Sequence, residues 1–217
     1  MKQTFKDILK ASLCGIIAGL VTFGIILVVI GLFSKKTDYN YDIYRSKIEL
    51  KYYSTKDAII EEIDNYIDSV APGSCLNGIA IFEACEEYDV DIKFVLAQGQ
   101  LESHFGTTGI ASKTNSVWNV MAYDGKTAQE MIRKGEHFNH PDKSIKPYLE
   151  LLTKDYLTNG KTEYDLMENF VNKSSKRYAS SKTYESQLRG IYQRIDLTTN
   201  ITAKYAEYKH YKILNGK

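Results

Sequence analysis

Proline is scarce in this chain, at 3 of 217 residues, and internal repeats and low-complexity tracts are absent, while tyrosine is frequent at 17. So few breakers and so many aromatics exclude the disordered class. The chain also lacks a charge excess: 28 Lys and Arg stand against 27 Asp and Glu, a formal net charge of +1. No strongly basic surface therefore argues for nucleic acid as a partner. Cysteine is too sparse for a disulfide framework. Of the 3 cysteines, Cys14 sits in an apolar run, leaving only Cys75 and Cys85. On one helix that pair would be about 15 Å apart, beyond disulfide reach, so both are expected as buried or free thiols. The length is that of one globular domain with appendages.

What is present begins with a short polar flank, residues 1–12, carrying Lys2, Lys6 and Lys10. Residues 13–33 then hold no charge, and only Cys14 and Thr22 are mildly polar. About 21 residues at helical rise make roughly 31 Å, the thickness of a hydrocarbon core. A transmembrane helix is expected there. A cleaved signal peptide needs a shorter apolar region and a small-x-small exit, whereas the exit here is Gly31-Leu-Phe-Ser-Lys-Lys. Gly15 and Gly19 form a Gly-xxx-Gly pair of the kind that packs spans against other helices. Lysines flank both ends, so the positive-inside rule does not set the orientation.

Residues 34–55 are polar and tyrosine-rich, a candidate stalk. From residue 56, Ile59, Ile60, Ile63, Tyr66, Ile67 and Val70 line one side of an amphipathic helix, which Ala71-Pro-Gly-Ser74 ends. Ser74 is the expected cap of a second helix carrying Leu76, Ile79, Phe82 and Cys85. Residues 106–143 are irregular and punctuated by Gly106, Gly109, Gly125 and Gly135; such a stretch inside a compact domain is more often a functional loop than filler. Helical patterns return over 143–157 with Ser144 as cap, over 163–171, and over 184–195. The tail, 198–217, has Tyr205, Tyr208 and Tyr211 at three-residue steps, and reads as a helix lying on the domain or as a mobile end.

The stretch that organises the domain is Phe94-Val-Leu-Ala-Gln-Gly-Gln-Leu-Glu102-Ser-His-Phe-Gly106. Phe94, Ala97, Leu101 and Phe105 recur at helical steps and share a core face. Gln98 and Glu102 lie four apart on its edge. Gly99 costs roughly 1 kcal/mol against alanine inside a helix, which suggests that another backbone packs closely there. A carboxylate on the rim of an apolar helix is a place for a raised pKa, because desolvation favours the neutral acid.

Beyond Glu102-Ser103 come Phe105-Gly106, Ala111 and Asn115-Ser-Val-Trp118-Asn-Val120, preceded by Ala97-Gln98; a second patch runs Tyr178-Ala-Ser-Ser-Lys-Thr-Tyr184. In order and spacing these motifs resemble family 73 of the glycoside hydrolases, the bacterial and phage N-acetylglucosaminidases of lysozyme-like fold, over about residues 75–196. The resemblance implies a lysozyme-like fold for the domain over 56–197; with the helical patterns and the apolar run, the expected architecture is mostly α, a helical domain behind one N-terminal transmembrane helix. The resemblance also implies peptidoglycan glycan strands as substrate, a domain facing the cell wall or a virion, and Glu102 as the catalytic glutamate. An outward domain places the N-terminus in the cytoplasm. Envelope or virion assembly partners and a helix partner for the span are further candidates; no cofactor or metal is expected.

Glycosidic cleavage at neutral pH needs a protonated carboxyl for the leaving oxygen, the role expected of Glu102. A second carboxylate would lie about 5 Å away in a retaining enzyme and roughly 6.5–9.5 Å in an inverting one. Family members often carry it on a β-hairpin downstream. Here the corresponding stretch is short, residues 128–134 read as a helical turn, and Glu136, Glu130 and Asp124 are the candidates in that order. The substrate's N-acetyl group is the alternative nucleophile. Trp118, Tyr123 and Tyr178 are candidate sugar-stacking rings, with Asn115 and Asn119 as hydrogen-bonding partners; Asn119 departs from the family's usual glycine. A lytic transglycosylase of the same fold and a degenerate glycan-binding assembly protein are the other readings.

Overall fold

The computed structural model describes the backbone of residues 2–120 and 125–217, and the side chains of residues 22–32, 35, 40–120 and 125–217. It is mostly helical. The elements are α1 (Lys2–Val70), α2 (Gly78–Tyr88), α3 (Ile92–Ser103), α4 (Ala111–Thr114) and α5 (Ala128–Arg133). They continue with α6 (Ile145–Leu151), α7 (Glu163–Glu168), α8 (Tyr184–Thr198) and α9 (Ile201–Leu214). The only β pairing among the described residues is an isolated bridge between Val171 and Arg177. The chain divides into two compact units, Met1–Tyr52 with Tyr211–Lys217, and Tyr53–His210.

In the first unit the expected stalk is helical. Between Gly31 and Pro72 the sequence holds neither glycine nor proline, so nothing interrupts the i to i−4 ladder. Ile48 is buried, and the Lys217 ammonium lies 4.6 Å from the centroid of the Tyr52 ring. Among the described residues no helix is long and apolar enough to cross a membrane. Of the span expected over 13–33, the side chains of 13–21 and 33 lie outside the described residues.

The second unit is built around α3. Every residue from Ile92 to Gln100 is buried, so this helix is enclosed on all sides rather than striped. Asp91 caps it, accepting from the Lys93 amide at 2.8 Å. α8 packs along it, burying Tyr184, Leu188, Tyr192 and Ile195. The Lys93 ammonium is tied to Asp196 at 2.8 Å and lies 4.5 Å from the centroid of the Tyr192 ring. The last part of α1 buries Ile59, Ile63 and Ile67, and its Tyr66 hydroxyl donates to Gln100 Oε1 on α3 at 2.5 Å.

α2 lies against α6. Its cap is Asn77, whose side chain accepts from the Ile79 amide at 2.8 Å; the expected cap, Ser74, instead donates to the Phe105 carbonyl at 2.8 Å. Ser144 likewise caps no helix: its hydroxyl donates to the Pro141 carbonyl at 2.7 Å. The 163–171 helix stops at Glu168, because Asn169 turns extended. The tail is helical, and within this unit it is anchored by Tyr208. That ring meets Phe82 edge-on at 5.2 Å, and its hydroxyl donates to Glu86 at 3.0 Å.

Candidate active site

Glu102 stands in the last turn of α3. The helix ends just beyond it because His104, Phe105 and Gly106 all adopt positive φ, at 49°, 53° and 82°, which no helix can continue. Ser103 explains why a serine follows the glutamate. Its buried hydroxyl donates to the Val117 carbonyl at 2.6 Å and accepts from the Gly106 amide at 2.8 Å, tying the 116–120 turn to the helix end. In that turn the Asn119 amide donates to the Ser116 carbonyl at 2.9 Å, and Asn119 sits at φ 53°. Glycine suits that backbone best and asparagine next, so the departure from glycine preserves the loop. It also adds a donor, since Asn119 Nδ2 reaches Glu102 Oε2 at 2.8 Å and the Glu102 carbonyl at 3.1 Å.

The other carboxyl oxygen is held from α8. The Tyr184 hydroxyl donates to Glu102 Oε1 at 2.5 Å. It accepts from Gln98 Nε2 at 3.1 Å, and Gln98 Oε1 accepts from the Tyr148 hydroxyl at 2.5 Å. The chain has one direction. Tyr148 has one proton and gives it to Gln98, the amide turns its nitrogen to Tyr184, and the Tyr184 proton is left for the carboxyl. Burial pushes the Tyr148 and Tyr184 phenols well above their ordinary value, and the Glu102 charge adds to this at Tyr184; both therefore stay donors. Burial likewise raises the Glu102 pKa, against the lowering effect of the Tyr184 and Asn119 hydrogen bonds. Removing the Tyr184 hydroxyl takes away a donor that favours the ionised form, so Tyr184→Phe moves the Glu102 pKa further up. For a proton donor, activity falls as pH rises through that pKa. The alkaline limb of a Tyr184→Phe rate profile is expected at higher pH than the wild type's; an unmoved limb contradicts the assignment.

Glu102 and Asn119 line a cleft of about 870 Å³, a size that holds sugar units. Its walls include Tyr156, Tyr178, Lys126 and the segment around Asn172 to Ser180. Tyr178 is thus at the cleft, as its expected role requires, with its hydroxyl donating to the Trp118 carbonyl at 3.0 Å. The Trp118 ring is not. It is fully buried, its indole N–H donates to the Val95 carbonyl at 3.0 Å, and it stacks on Tyr148 at 4.8 Å. Gly99 leaves room for this indole: a Cβ there would lie 3.2 Å from Trp118 Nε1. The close neighbour is therefore a side chain rather than the backbone expected. Asn115 caps α4 at φ 55°, and its amide donates to the Phe138 carbonyl at 2.8 Å, away from the cleft lining.

The candidate second carboxylates are placed as follows. Glu130 closes a capping box on α5, accepting from the Thr127 amide at 2.9 Å, and those Thr127 bonds hold its pKa low. Glu136 is paired with Lys126 at 2.7 Å; the lysine, and not Glu136, is among the described residues that line the cleft. Tyr123 and Asp124 lie outside the described residues. Tyr184, the first residue of the helical pattern over 184–195, is the contact that sequence reading missed. Its signal was its place at the end of the Tyr178–Tyr184 patch.

Residues 79–197 match the glucosaminidase family, described as mannosyl-glycoprotein endo-beta-N-acetylglucosaminidase. Two curated relatives, both named putative endo-beta-N-acetylglucosaminidase, come from Streptococcus pneumoniae serotype 4 (strain ATCC BAA-334 / TIGR4) and from strain ATCC BAA-255 / R6 of the same species. Each is 25% identical over 139 residues, which is 63% of this chain and 20% and 19% of theirs. The chain thus spans about a fifth of the length of the curated relatives it matches. The matched region, 79–197, runs from α2 through α3 and the cleft to α8, and by that match the chain belongs to the glucosaminidase family, family 73 of the glycoside hydrolases.

Proposed function

We propose that the chain is a peptidoglycan-cleaving glycosidase of lysozyme-like fold, an endo-β-N-acetylglucosaminidase in which Glu102 gives its proton to the leaving glycosidic oxygen. The observation that carries this reading is the placement of one carboxyl. Burial favours its neutral form, Tyr184 and Asn119 hold its two oxygens, and it opens on a cleft of sugar-binding size. An alkoxide leaves poorly, so a proton available at neutral pH lowers the barrier. The charge that then develops on the sugar ring is met by water or by the substrate's own N-acetyl oxygen. The test is to incubate the full chain with purified cell walls. Clearing with new N-acetylglucosamine reducing ends is the expected result; glycan binding without product would overturn it.

A specific observation favours a second reading. Among the described residues lining the cleft, Glu102 is the only carboxylate. A lytic transglycosylase needs only one, because a hydroxyl of the sugar itself is the nucleophile. Mass spectrometry of the released fragments separates the two, an anhydro sugar end marking the transglycosylase.

We also propose that residues 13–33 anchor the chain in a membrane, with the catalytic unit on the wall side. The uninterrupted apolar run supports this, as do the exposed Phe23, Ile26, Ile30 and Leu32. The full chain is expected to stay with membranes through an alkaline carbonate wash; its release would remove the anchor.

A further inference from the structure

The cleft beside Glu102 carries a positive charge that the proton transfer does not use. We infer that Lys176 forms an anion-binding subsite there, taking an oxyanion borne by the glycan: a carboxylate of a lactyl-peptide branch, or a phosphate of a wall-linked polymer. The inference deepens the glycan reading of the cleft and rests on it.

The argument is a balance of charges. Lys126, Lys176 and Arg177 all line the cleft. Lys126 is neutralised by Glu136 at 2.7 Å and Arg177 by Glu185 at 2.6 Å. Lys173, in the same turn as Lys176, is neutralised by Asp155 at 2.6 Å. Lys176 has no acidic partner among the described residues. Among the described residues, one cation of the cleft wall is therefore left uncompensated. A neutral polymer gives such a charge nothing to bind, whereas an anionic branch does.

The lysine is also set in a built turn rather than on a loose loop. Asn172 Oδ1 accepts from the amides of Ser174 and Lys176, each at 2.9 Å. The Asn172 amide donates to the Lys176 carbonyl at 2.8 Å, Ser175 takes the left-handed backbone at φ 61°, and Val171 bridges Arg177. The Lys173 amide pins the turn to the Asp155 carbonyl at 2.7 Å. The Lys176 backbone is held, so ordering the bound state costs little beyond its own side-chain rotamers.

The test reads binding, in the full chain carrying Glu102→Gln so that the polymer is not consumed. Co-sedimentation is measured with purified sacculi, with sacculi stripped of phosphate polymers by hydrofluoric acid, and with chitin as the neutral N-acetylglucosamine polymer. Lys176→Glu is expected to weaken sacculus binding about fivefold, Lys176→Arg to retain it, and neither to change chitin binding. Added salt should erode the sacculus binding of the Lys176 chain and not that of Lys176→Glu. Survival of the effect on stripped sacculi identifies a carboxylate, and its loss there a phosphate; either supports the subsite. Equal loss on sacculi and chitin, or no loss on sacculi, overturns it. Catalysis plays no part in the readout, so a chain that binds but does not cleave would sink the proposed function and leave the subsite standing.

Discussion

Glu102→Gln is expected to abolish wall clearing, with turnover lower by about 10²–10⁴-fold, the usual worth of a positioned general acid. The amide keeps the shape and the acceptor that Tyr184 uses, but has no proton to give at neutral pH. The same change has a stability signature of defined sign. The Glu102 pKa is raised by burial above its usual 4.5, so the folded chain binds this proton more tightly than the unfolded one. Its contribution to stability is fully present below the unfolded value and is lost as pH rises through the folded value. The glutamine has no such loss. Thermal midpoints of Glu102→Gln minus wild type should therefore become more positive as pH increases from about 4 to 8. The introduced amide nitrogen faces that of Asn119, and this contact shifts both ends of the comparison alike. A flat difference would mean that the carboxyl is solvated, and full activity in the variant would assign the proton to another group.

Trp118→Ala should cost about 3–5 kcal/mol of unfolding free energy, the range for deleting a large buried aromatic. The indole is fully enclosed, bonded to Val95, stacked on Tyr148 at an interplanar angle of 10°, and close against Gly99. Its removal leaves a cavity behind the relay that aims Tyr184 at Glu102, so activity falls together with stability. Denaturant unfolding followed by circular dichroism measures the loss. Trp118→Phe separates this role from sugar stacking: it keeps much of the buried area and should keep wall clearing. Unchanged stability with weakened substrate binding in that variant would put the ring back in the cleft.

Some of the site was legible because it is local. The apolar spacing of Phe94, Ala97 and Phe105, the edge shared by Gln98 and Glu102, and the helix stop near Gly106 are properties of a few neighbouring residues. Local chemistry also marked residues 128–134 as a helical turn, and Thr127 and Glu130 cap it. Trp118 was harder, since an aromatic beside a catalytic carboxylate looks the same in sequence whether it faces sugar or core. The helix over the expected stalk was missed for a different reason: polar, tyrosine-rich composition suggests a linker, yet without glycine or proline it holds a helix.

By itself the sequence determined the mostly helical class, the apolar run near the N-terminus and the glutamate at the end of a buried helix, because periodicity and breakers act over a few residues. Only the tertiary structure decided which groups meet that glutamate. Tyr184 is 82 positions away from Glu102 and Tyr148 is 50 from Gln98, and no short-range pattern encodes such a pairing. Burial, and with it the raised pKa, was decided there too, because desolvation depends on everything packed around a carboxyl rather than on its neighbours in the chain.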